Sequence, residues 1–302
     1  MLSNLKIMSI RHHDHSESIG LVTEHGVLDT LMAARELNLP VPHNLDDMLA
    51  QSRSAELHDL LKAVLTTPNW GRFFKKESDL SHGCLFKRPG KIICVGLNYK
   101  AHAAETKATP PSVPILFNKY NNALAGQNCV IPLPPPAVSY KFDFETELLI
   151  VMGKRARNVS ETEALTTVAG YCTAQDFSAR DLQTELPGAQ WMAGKTLDHF
   201  APIGPYFVSA DLVGDASNLK IETYVNGQLR QSSNTSDMIF SPAQIISHIS
   251  RLWALEPGDI IFTGTPQGVI LGLPPEQRVW LKSGDTIVSS IEKLGELTIQ
   301  LA

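Results

Sequence analysis

The sequence predicts a mainly β, α+β fold, because short strand patterns outnumber helical ones along its 302 residues. Apolar runs near the N-terminus predict three short strands, at residues 5–10, 19–23 and 27–30. Helical spacing of apolar residues then predicts three helices, at residues 31–37, 45–50 and 55–65. Most strand patterns follow Pro89, which gives β-structure the larger share of the chain.

The character of the sequence changes at Pro89-Gly90. The segment before it carries no residues of obvious chemistry, and the segment after it begins with a pattern typical of a buried strand. We therefore predict a small α+β N-terminal domain over residues 1–88 and a larger domain that carries the chemistry over residues 89–302.

Strand patterns of the second domain are apolar runs bounded by turn residues. They cover residues 91–96, 141–151, 170–175, 220–225, 228–231, 260–263, 286–291 and 296–300. Asn226-Gly227 favours a two-residue hairpin turn between two of them. Capping boxes at residues 160–163 and 241–244 each predict the start of a helix.

Composition narrows the class of protein. An apolar content of 43% and a charged content of 19% are typical of a globular chain with a large core. The formal net charge of −5 argues against nucleic acid or an anionic membrane as a partner. No apolar run approaches the ~20 residues of a membrane span, and the N-terminus lacks a secretory pattern with a cleavage site.

Cysteine spacing and the absence of a glycine motif restrict the class of protein further. The cysteines show no C-x-x-C spacing, which indicates reduced thiols of an intracellular protein, with the cytoplasm expected and mitochondria as the alternative. A nucleotide-binding dehydrogenase is disfavoured, because no G-x-G-x-x-G motif follows a strand pattern.

The strand pattern over residues 141–151 contains three acidic residues at alternating positions. Side chains two apart on a strand share a face, so Asp143, Glu145 and Glu147 are expected on one side. Gathered carboxylates repel one another unless a cation neutralises them, and Mg²⁺, Mn²⁺ and Ca²⁺ prefer oxygen ligands. The alternative is a solvated face on the edge of a sheet.

Two further patterns carry possible chemistry. His102 and Glu105 are three residues apart, so one helical turn brings them together as a general base held by a carboxylate. The alternative is an exposed histidine with a casual ion pair. Asp176 ends the strand pattern at residues 170–175, where it could present a carboxylate or cap a helix.

In sequence order, these patterns resemble the fumarylacetoacetate hydrolase family. The resemblance covers residues 89–302 and is carried by motifs that are each weak but occur together in the family's order. They are Cys94–Tyr99 with His102 and Glu105, Phe144–Glu147, Gln175–Gln183, Gln190-Trp191, Gly194-Lys195 with Pro202–Pro205, and Gly258-Asp259 with Thr263–Gly268. The family implies a mixed β-sandwich roll, a variable extra N-terminal domain and a homodimer.

The resemblance also assigns roles to individual residues. It makes Glu145, Glu147 and Asp176 the ligands of Mg²⁺ or Mn²⁺, and Lys195 a catalytic lysine beside the metal together with the His102–Glu105 pair. Substrate-binding positions in relatives match Arg180, Gln183 and Thr265. Arg180 could equally pair with Asp176 or Asp181 as part of the scaffold, and the loop around Thr265 could be a purely structural turn.

The activity that the resemblance implies is a metal-dependent hydrolysis of a C–C bond in a β-diketo acid of the acylpyruvate or fumarylpyruvate type. Decarboxylation or tautomerisation of oxaloacetate on the same metal site is the alternative. A catalytically silent metal-binding protein is the alternative from another class. The expected partners are a small 2-oxo acid and a second copy of the chain.

Overall fold

The computed structural model describes residues 3–302, so Met1 and Leu2 of the predicted N-terminal domain lie outside it. Nineteen strands form within this range: β1 (Lys6–Arg11), β2 (Glu17–Thr23), β3 (Gly26–Asp29), β4 (Phe74–Lys75), β5 (Ser81–His82), β6 (Ile92–Gly96), β7 (Ile115–Asn118), β8 (Leu124–Ala125), β9 (Cys129–Ile131), β10 (Phe142–Asp143), β11 (Thr146–Met152), β12 (Val168–Gln175), β13 (Ser178–Ala179), β14 (Ala201–Ser209), β15 (Lys220–Val225), β16 (Gln228–Asn234), β17 (Ile260–Phe262), β18 (Thr286–Ile291) and β19 (Gly295–Leu301). The same range forms nine α-helices: α1 (Thr30–Leu37), α2 (Leu45–Ala50), α3 (Ser54–Leu65), α4 (Lys100–Glu105), α5 (Glu161–Ala164), α6 (Arg180–Thr184), α7 (Trp191–Lys195), α8 (Ala210–Val213) and α9 (Pro242–Leu252).

Two sheets pack against each other to form the body of the molecule. The large sheet has the order β4-β3-β2-β1-β14-β12-β11-β17-β6-β7, with β5 beside β1 and β8 beside β14. A five-stranded sheet has the order β16-β15-β18-β19-β9, and β10 pairs with β13. Strands β11, β12 and β14 contact the five-stranded sheet, so the predicted mainly β, α+β fold is confirmed as a mixed sandwich.

The N-terminal segment joins the large sheet through β1. Ile7 of β1 lies opposite Phe207 of β14 in an antiparallel pair. Helices α1, α2 and α3 cover this end of the sheet, and Leu57 and Leu60 of α3 belong to the same core cluster as Phe207. One sheet therefore runs through both segments, and the division at residue 88 stays a prediction.

The strand predicted over residues 141–151 is broken in the middle. It forms β10 and β11, because the side chain of Asp143 accepts a hydrogen bond from the Phe144 N–H and the Glu145 N–H donates to the Gln175 side chain. The break takes Asp143 out of the continuous strand that was predicted for all three acidic residues, and the Arg180 guanidinium bridges the carboxylates of Asp143 and Glu145. The solvated-edge alternative is wrong, since β11 lies between β12 and β17 and is buried along its whole length.

Local sequence signals fix several other elements. Both predicted capping boxes form, at Ser160 with Glu163 and at Ser241 with Gln244. Asn226 and Gly227 both have positive φ angles, 51° and 77°, as the predicted hairpin turn requires. These signals start helices α5 and α9 and form the turn between β15 and β16.

Candidate active site

Three acidic side chains converge at the end of the β11–β12 hairpin. Glu147 lies on β11 opposite Ala174 of β12, and Asp176 directly follows β12. The Asp176 N–H donates to the Glu145 carbonyl over 2.9 Å, which continues the pairing past the strand end. This register brings Glu145, Glu147 and Asp176 together, as the sequence predicted.

The three carboxylates form a group that could bind a metal ion. Each offers one oxygen, and these oxygens all lie within 4.8 Å of one another. The residues are 6%, 1% and 0% exposed, respectively, so little water reaches them. Burying three carboxylates side by side is costly without positive charge, and oxygen-only donors suit a hard cation such as Mg²⁺ or Mn²⁺.

Protein cations balance part of this charge. The Lys195 ammonium lies 2.7 Å from Glu145 and 2.8 Å from Asp176. The Arg180 guanidinium lies 2.7 Å from the other oxygen of Glu145, and Lys119 lies 2.6 Å from the other oxygen of Asp176. With Asp143 included, three buried cations surround four buried carboxylates, so the fully ionised cluster retains excess negative charge.

This arrangement shifts the pKa values of the two glutamates in opposite directions. Burial raises the pKa of Glu145, but the Lys195 ammonium and the Arg180 guanidinium outweigh it and hold that pKa at about 2. Burial, with the neighbouring Asp176 and Glu145 carboxylates, raises the pKa of Glu147 well above its ordinary value. Glu147 is the acid that gains most from a bound cation, because its other strong contact is the Gly264 N–H at 2.7 Å.

The predicted pair of His102 and Glu105 forms on α4. The Nδ1 atom of His102 lies 2.7 Å from Glu105 Oε1, and His102 is 6% exposed, so the alternative of an exposed histidine is wrong. The second oxygen of Glu105 accepts a hydrogen bond from the Gly268 N–H at 2.9 Å. A carboxylate on one ring nitrogen orients the imidazole and leaves the other nitrogen for proton transfer.

A cleft of about 200 Å³ connects the histidine to the acidic cluster. Among the predicted residues, it is lined by His102, Glu145, Glu147, Arg180, Gln183, Lys195 and Thr265. Its apolar wall includes Phe117 and Trp191, which pack edge to face with ring centroids 5.5 Å apart.

The loop after β17 holds protein groups as well as lining the cleft. The Thr265 hydroxyl donates to the Thr146 carbonyl at 3.0 Å and accepts from Gln231 at 2.9 Å. The Gly264 and Gly268 N–H groups donate to Glu147 and Glu105, respectively. This loop therefore positions two acidic residues of the site.

Arg180 has partners other than the expected ones. It pairs with Asp143 and Glu145, and its Nη1 donates to Gln183 at 2.8 Å. The predicted alternative of a pair with Asp176 or Asp181 is wrong. Asp181 instead accepts hydrogen bonds from Ser139 and Tyr140. The helix-cap alternative for Asp176 is also wrong, since Ala179 precedes α6 as its N-cap residue.

Sequence reasoning missed two supports of the site. Lys119 follows β7 and is fully buried against Asp176, but a lone lysine in a loop pattern gives no signal for this. Gln231 accepts from the Thr146 N–H and the Thr223 hydroxyl and donates to Thr265 and Pro266. A glutamine within a strand pattern is a weak hint of such a buried network.

Comparison with known proteins identifies the family of this chain. Residues 91–302 match the family described as fumarylacetoacetate (FAA) hydrolase C-terminal. A fumarylacetoacetate hydrolase domain-containing protein 2 homolog from Dictyostelium discoideum is 40% identical over 295 residues, covering 94% of this chain and 92% of that protein. The mitochondrial oxaloacetate tautomerase FAHD2B of Bos taurus is 46% identical over 209 residues, which cover 69% of this chain but 65% of the bovine protein.

Solved structures show the same fold over 99% of this chain in one case and 70% in another. Fumarylacetoacetate hydrolase from Exiguobacterium antarcticum superposes with a TM-score of 0.79 at 29% identity, covering 99% of each chain. Fumarylpyruvate hydrolase from Pseudomonas aeruginosa, solved with Mn²⁺ and pyruvate, has a TM-score of 0.63 at 32% identity, covering 70% of this chain and 89% of that one.

The fold and the buried acidic cluster define an enzyme with a site that could bind a metal. The chain belongs to the fumarylacetoacetate hydrolase family, as its sequence motifs predicted. Within residues 3–302, no helix has the length and apolar character needed to cross a membrane.

Proposed function

We propose that this chain is a Mg²⁺- or Mn²⁺-dependent enzyme that interconverts the keto and enol forms of oxaloacetate, a small 2-oxo acid. The observation that carries the proposal is the shared cleft, which is lined by His102, Glu145 and Glu147. A volume of about 200 Å³ is below the ~300–1,000 Å³ typical of drug-sized ligands, which favours a small substrate. The bovine relative carries the name of this activity.

In this proposal Glu145, Glu147 and Asp176 hold the metal ion. Their oxygens are close enough to share one cation, and Mn²⁺ is present in the related fumarylpyruvate hydrolase. When bound, the metal supplies a Lewis acid for the carboxylate and keto oxygens of a 2-oxo acid. Gln183 and Arg180 line the same cleft and are proposed to contact the substrate, as is Thr265.

His102 moves the proton. It accepts a proton from the carbon between the keto group and the distal carboxylate, and the C–H electron pair becomes the new C=C bond. The ammonium of Lys195 stabilises the negative charge that develops on the keto oxygen. Protonated His102 returns this proton to that oxygen through a water molecule, which completes the enol and restores neutral His102, and the reverse sequence regenerates the keto form. Glu105 keeps His102 oriented throughout, through the 2.7 Å contact.

Hydrolysis of an acylpyruvate or fumarylpyruvate is the second candidate. The same His102–Glu105 pair could deprotonate a water molecule that attacks the distal carbonyl. The solved relative with Mn²⁺ and pyruvate is a hydrolase of this kind, which is the observation in its favour. Both candidates use one site, so substrates must separate them.

The test offers purified protein oxaloacetate and acylpyruvates with Mg²⁺ or Mn²⁺. Loss of the enol absorbance of oxaloacetate without CO₂ release supports tautomerisation, and CO₂ release indicates decarboxylation instead. Pyruvate formed with a carboxylic acid from an acylpyruvate indicates hydrolysis. Metal binding without turnover of any substrate would favour a catalytically silent protein and overturn the proposal.

We also propose a homodimer, as the family resemblance implies. The cellular location stays a proposal as well: the sequence favours the cytoplasm, whereas the name of the bovine relative favours mitochondria. Sedimentation of the purified protein and localisation of the tagged full chain test these two points.

A further inference from the structure

A short segment, residues 268–272, contacts both halves of the candidate site. At its start, the Gly268 N–H donates to Glu105 at 2.9 Å. Two residues later, the Ile270 and Leu271 N–H groups donate to the two oxygens of Asp143, at 2.9 and 3.0 Å. Carboxylates from two different parts of the chain therefore hold this one turn in place.

Asp143 connects the segment to the acidic cluster. It is fully buried and accepts a hydrogen bond from Arg180 Nε at 2.9 Å. Arg180 in turn lies 2.7 Å from Glu145, one of the proposed metal ligands. A continuous series of short contacts thus runs from Glu105 through the segment, Asp143 and Arg180 to Glu145.

Gly272, at the end of the segment, lies directly against the carboxyl group of Glu105. A Cβ atom at position 272 would lie 2.4 Å from Glu105 Cδ and 2.7 Å from each of its carboxylate oxygens. The φ angle of Gly272 is not positive, so an alanine could adopt the same backbone. The obstacle to a side chain at this position is therefore Glu105 itself.

We propose that Asp143 and Gly272 are positioning residues, which fix where Glu105 holds His102 relative to the metal cluster. Asp143 secures the segment by two amide hydrogen bonds, and the absence of a side chain at 272 leaves the space that the Glu105 carboxyl group occupies. The role assigned to the dyad rests on the proposed function. Placement matters because a misplacement of ~1 Å can cost ~100-fold in rate.

The decisive variant is Gly272→Ala, which displaces Glu105 and adds no group to the cleft wall formed by Glu145 and Glu147. We expect kcat to fall roughly 10- to 100-fold, while KM and the Mn²⁺ dissociation constant change by less than about threefold. Gly71→Ala is the matched control, because nothing lies within 4 Å of the added Cβ and its φ is not positive. An unchanged kcat in Gly272→Ala, with the control also unchanged, overturns the proposal.

Asp143→Asn tests the role of Asp143, whose carboxylate binds the backbone amides of residues 270 and 271. The amide keeps one acceptor for the segment but places an NH₂ group where Arg180 and one backbone amide donate. We expect lower kcat together with weaker Mn²⁺ binding, because Arg180 also contacts Glu145. An unchanged kcat in Asp143→Asn, whatever the Mn²⁺ affinity, would remove Asp143 from the proposal.

An NMR measurement keeps this inference separable from the proposed function. A His102 Nδ1–H donated to a carboxylate gives a low-field proton resonance, assigned by its loss in His102→Asn. We expect the resonance in the wild-type protein and in Gly71→Ala, and its loss or upfield shift in Gly272→Ala. If the wild type turns over none of the substrates, the proposed function fails, but an altered resonance in Gly272→Ala still supports the positioning role and an unaltered one overturns it.

Discussion

The ammonium of Lys119 lies 2.6 Å from a carboxylate oxygen of Asp176, and both side chains are fully shielded from solvent. Lys119 also donates to the backbone carbonyls of Phe200 at 2.9 Å and Phe177 at 3.3 Å. Lys195 lines the cleft, whereas Lys119 is not among the described residues that line it. Lys119 is therefore a structural cation that orients the Asp176 carboxylate.

Replacing this buried cation is expected to cost stability. In Lys119→Met, Asp176 and the carbonyl groups lose a charged donor, and breaking one side of a buried ion pair typically costs ~3–5 kcal/mol. Urea denaturation measures the change in the free energy of unfolding. Lys75→Met is the control, because Lys75 is half exposed and 3.9 Å from Asp29, where such pairs contribute ~0–1 kcal/mol. Equal effects of the two substitutions would contradict the structural role of Lys119.

Glu147 is expected to lower the stability of the metal-free protein and to be needed for metal binding. Its raised pKa shows that the ionised form is unfavourable in the metal-free cluster, so Glu147→Gln removes a repulsive charge and keeps an acceptor for the Gly264 N–H. We expect the metal-free variant to have a higher Tm than wild type at pH 8. The increase in Tm that Mn²⁺ gives the wild type should be largely lost. Thermal unfolding with EDTA and with Mn²⁺ measures both, and a variant that retains the full Mn²⁺ shift would exclude Glu147 as a ligand.

The same raised pKa predicts how pH affects stability. A carboxyl group whose folded pKa lies above its unfolded value of ~4.3 stabilises the fold at low pH, and this contribution is lost as the pH rises through the folded pKa. Glu145 acts in the opposite sense, and its contribution is lost only as the pH falls toward its pKa of about 2. Glu147 therefore dominates this cluster's pH response above pH 5.

Removing the metal should make this pH dependence of stability measurable. With EDTA, the wild-type Tm should decline from pH 5 to pH 8 relative to Glu147→Gln, and the Mn²⁺-induced shift should grow over the same range because protons no longer compete for the site. A Mn²⁺-induced shift that is constant with pH would contradict the assigned protonation of Glu147.

The sequence was sufficient where local rules decide the outcome. The spacing of Glu145 and Glu147, and that of His102 and Glu105, predicted that each pair lies close together, and both pairs do so in the structure. Asp176 could be added through the family resemblance, and the strand register explains why it fits. Turn and cap residues such as Asn226-Gly227 likewise fixed their elements.

The rest depends on contacts between distant segments. Strand β14 was not predicted, because Pro202 and Pro205 lie within it and proline usually argues against a central strand. Pro205 is tolerated because it falls near the register irregularity between Tyr171 and Thr173 of β12. The partners of Asp143 could not be predicted for a similar reason: Arg180 and the amides at positions 270 and 271 are distant from it in sequence.

The role of the dyad gives the last prediction. In Glu105→Gln, the side chain can still accept a hydrogen bond from His102, but the negative charge that stabilises the protonated imidazole is lost. We expect kcat to fall about 100-fold or more, a loss typical for a general base deprived of its support. Glu105 is not one of the three grouped carboxylates, so the Mn²⁺ dissociation constant, measured by titration, should stay near the wild-type value. Glu276→Gln, at an exposed neighbouring position, is the control and should change neither quantity. If Glu105→Gln loses Mn²⁺ binding but keeps its turnover, Glu105 belongs to the metal site. Its assignment as the partner of the base His102 is then wrong.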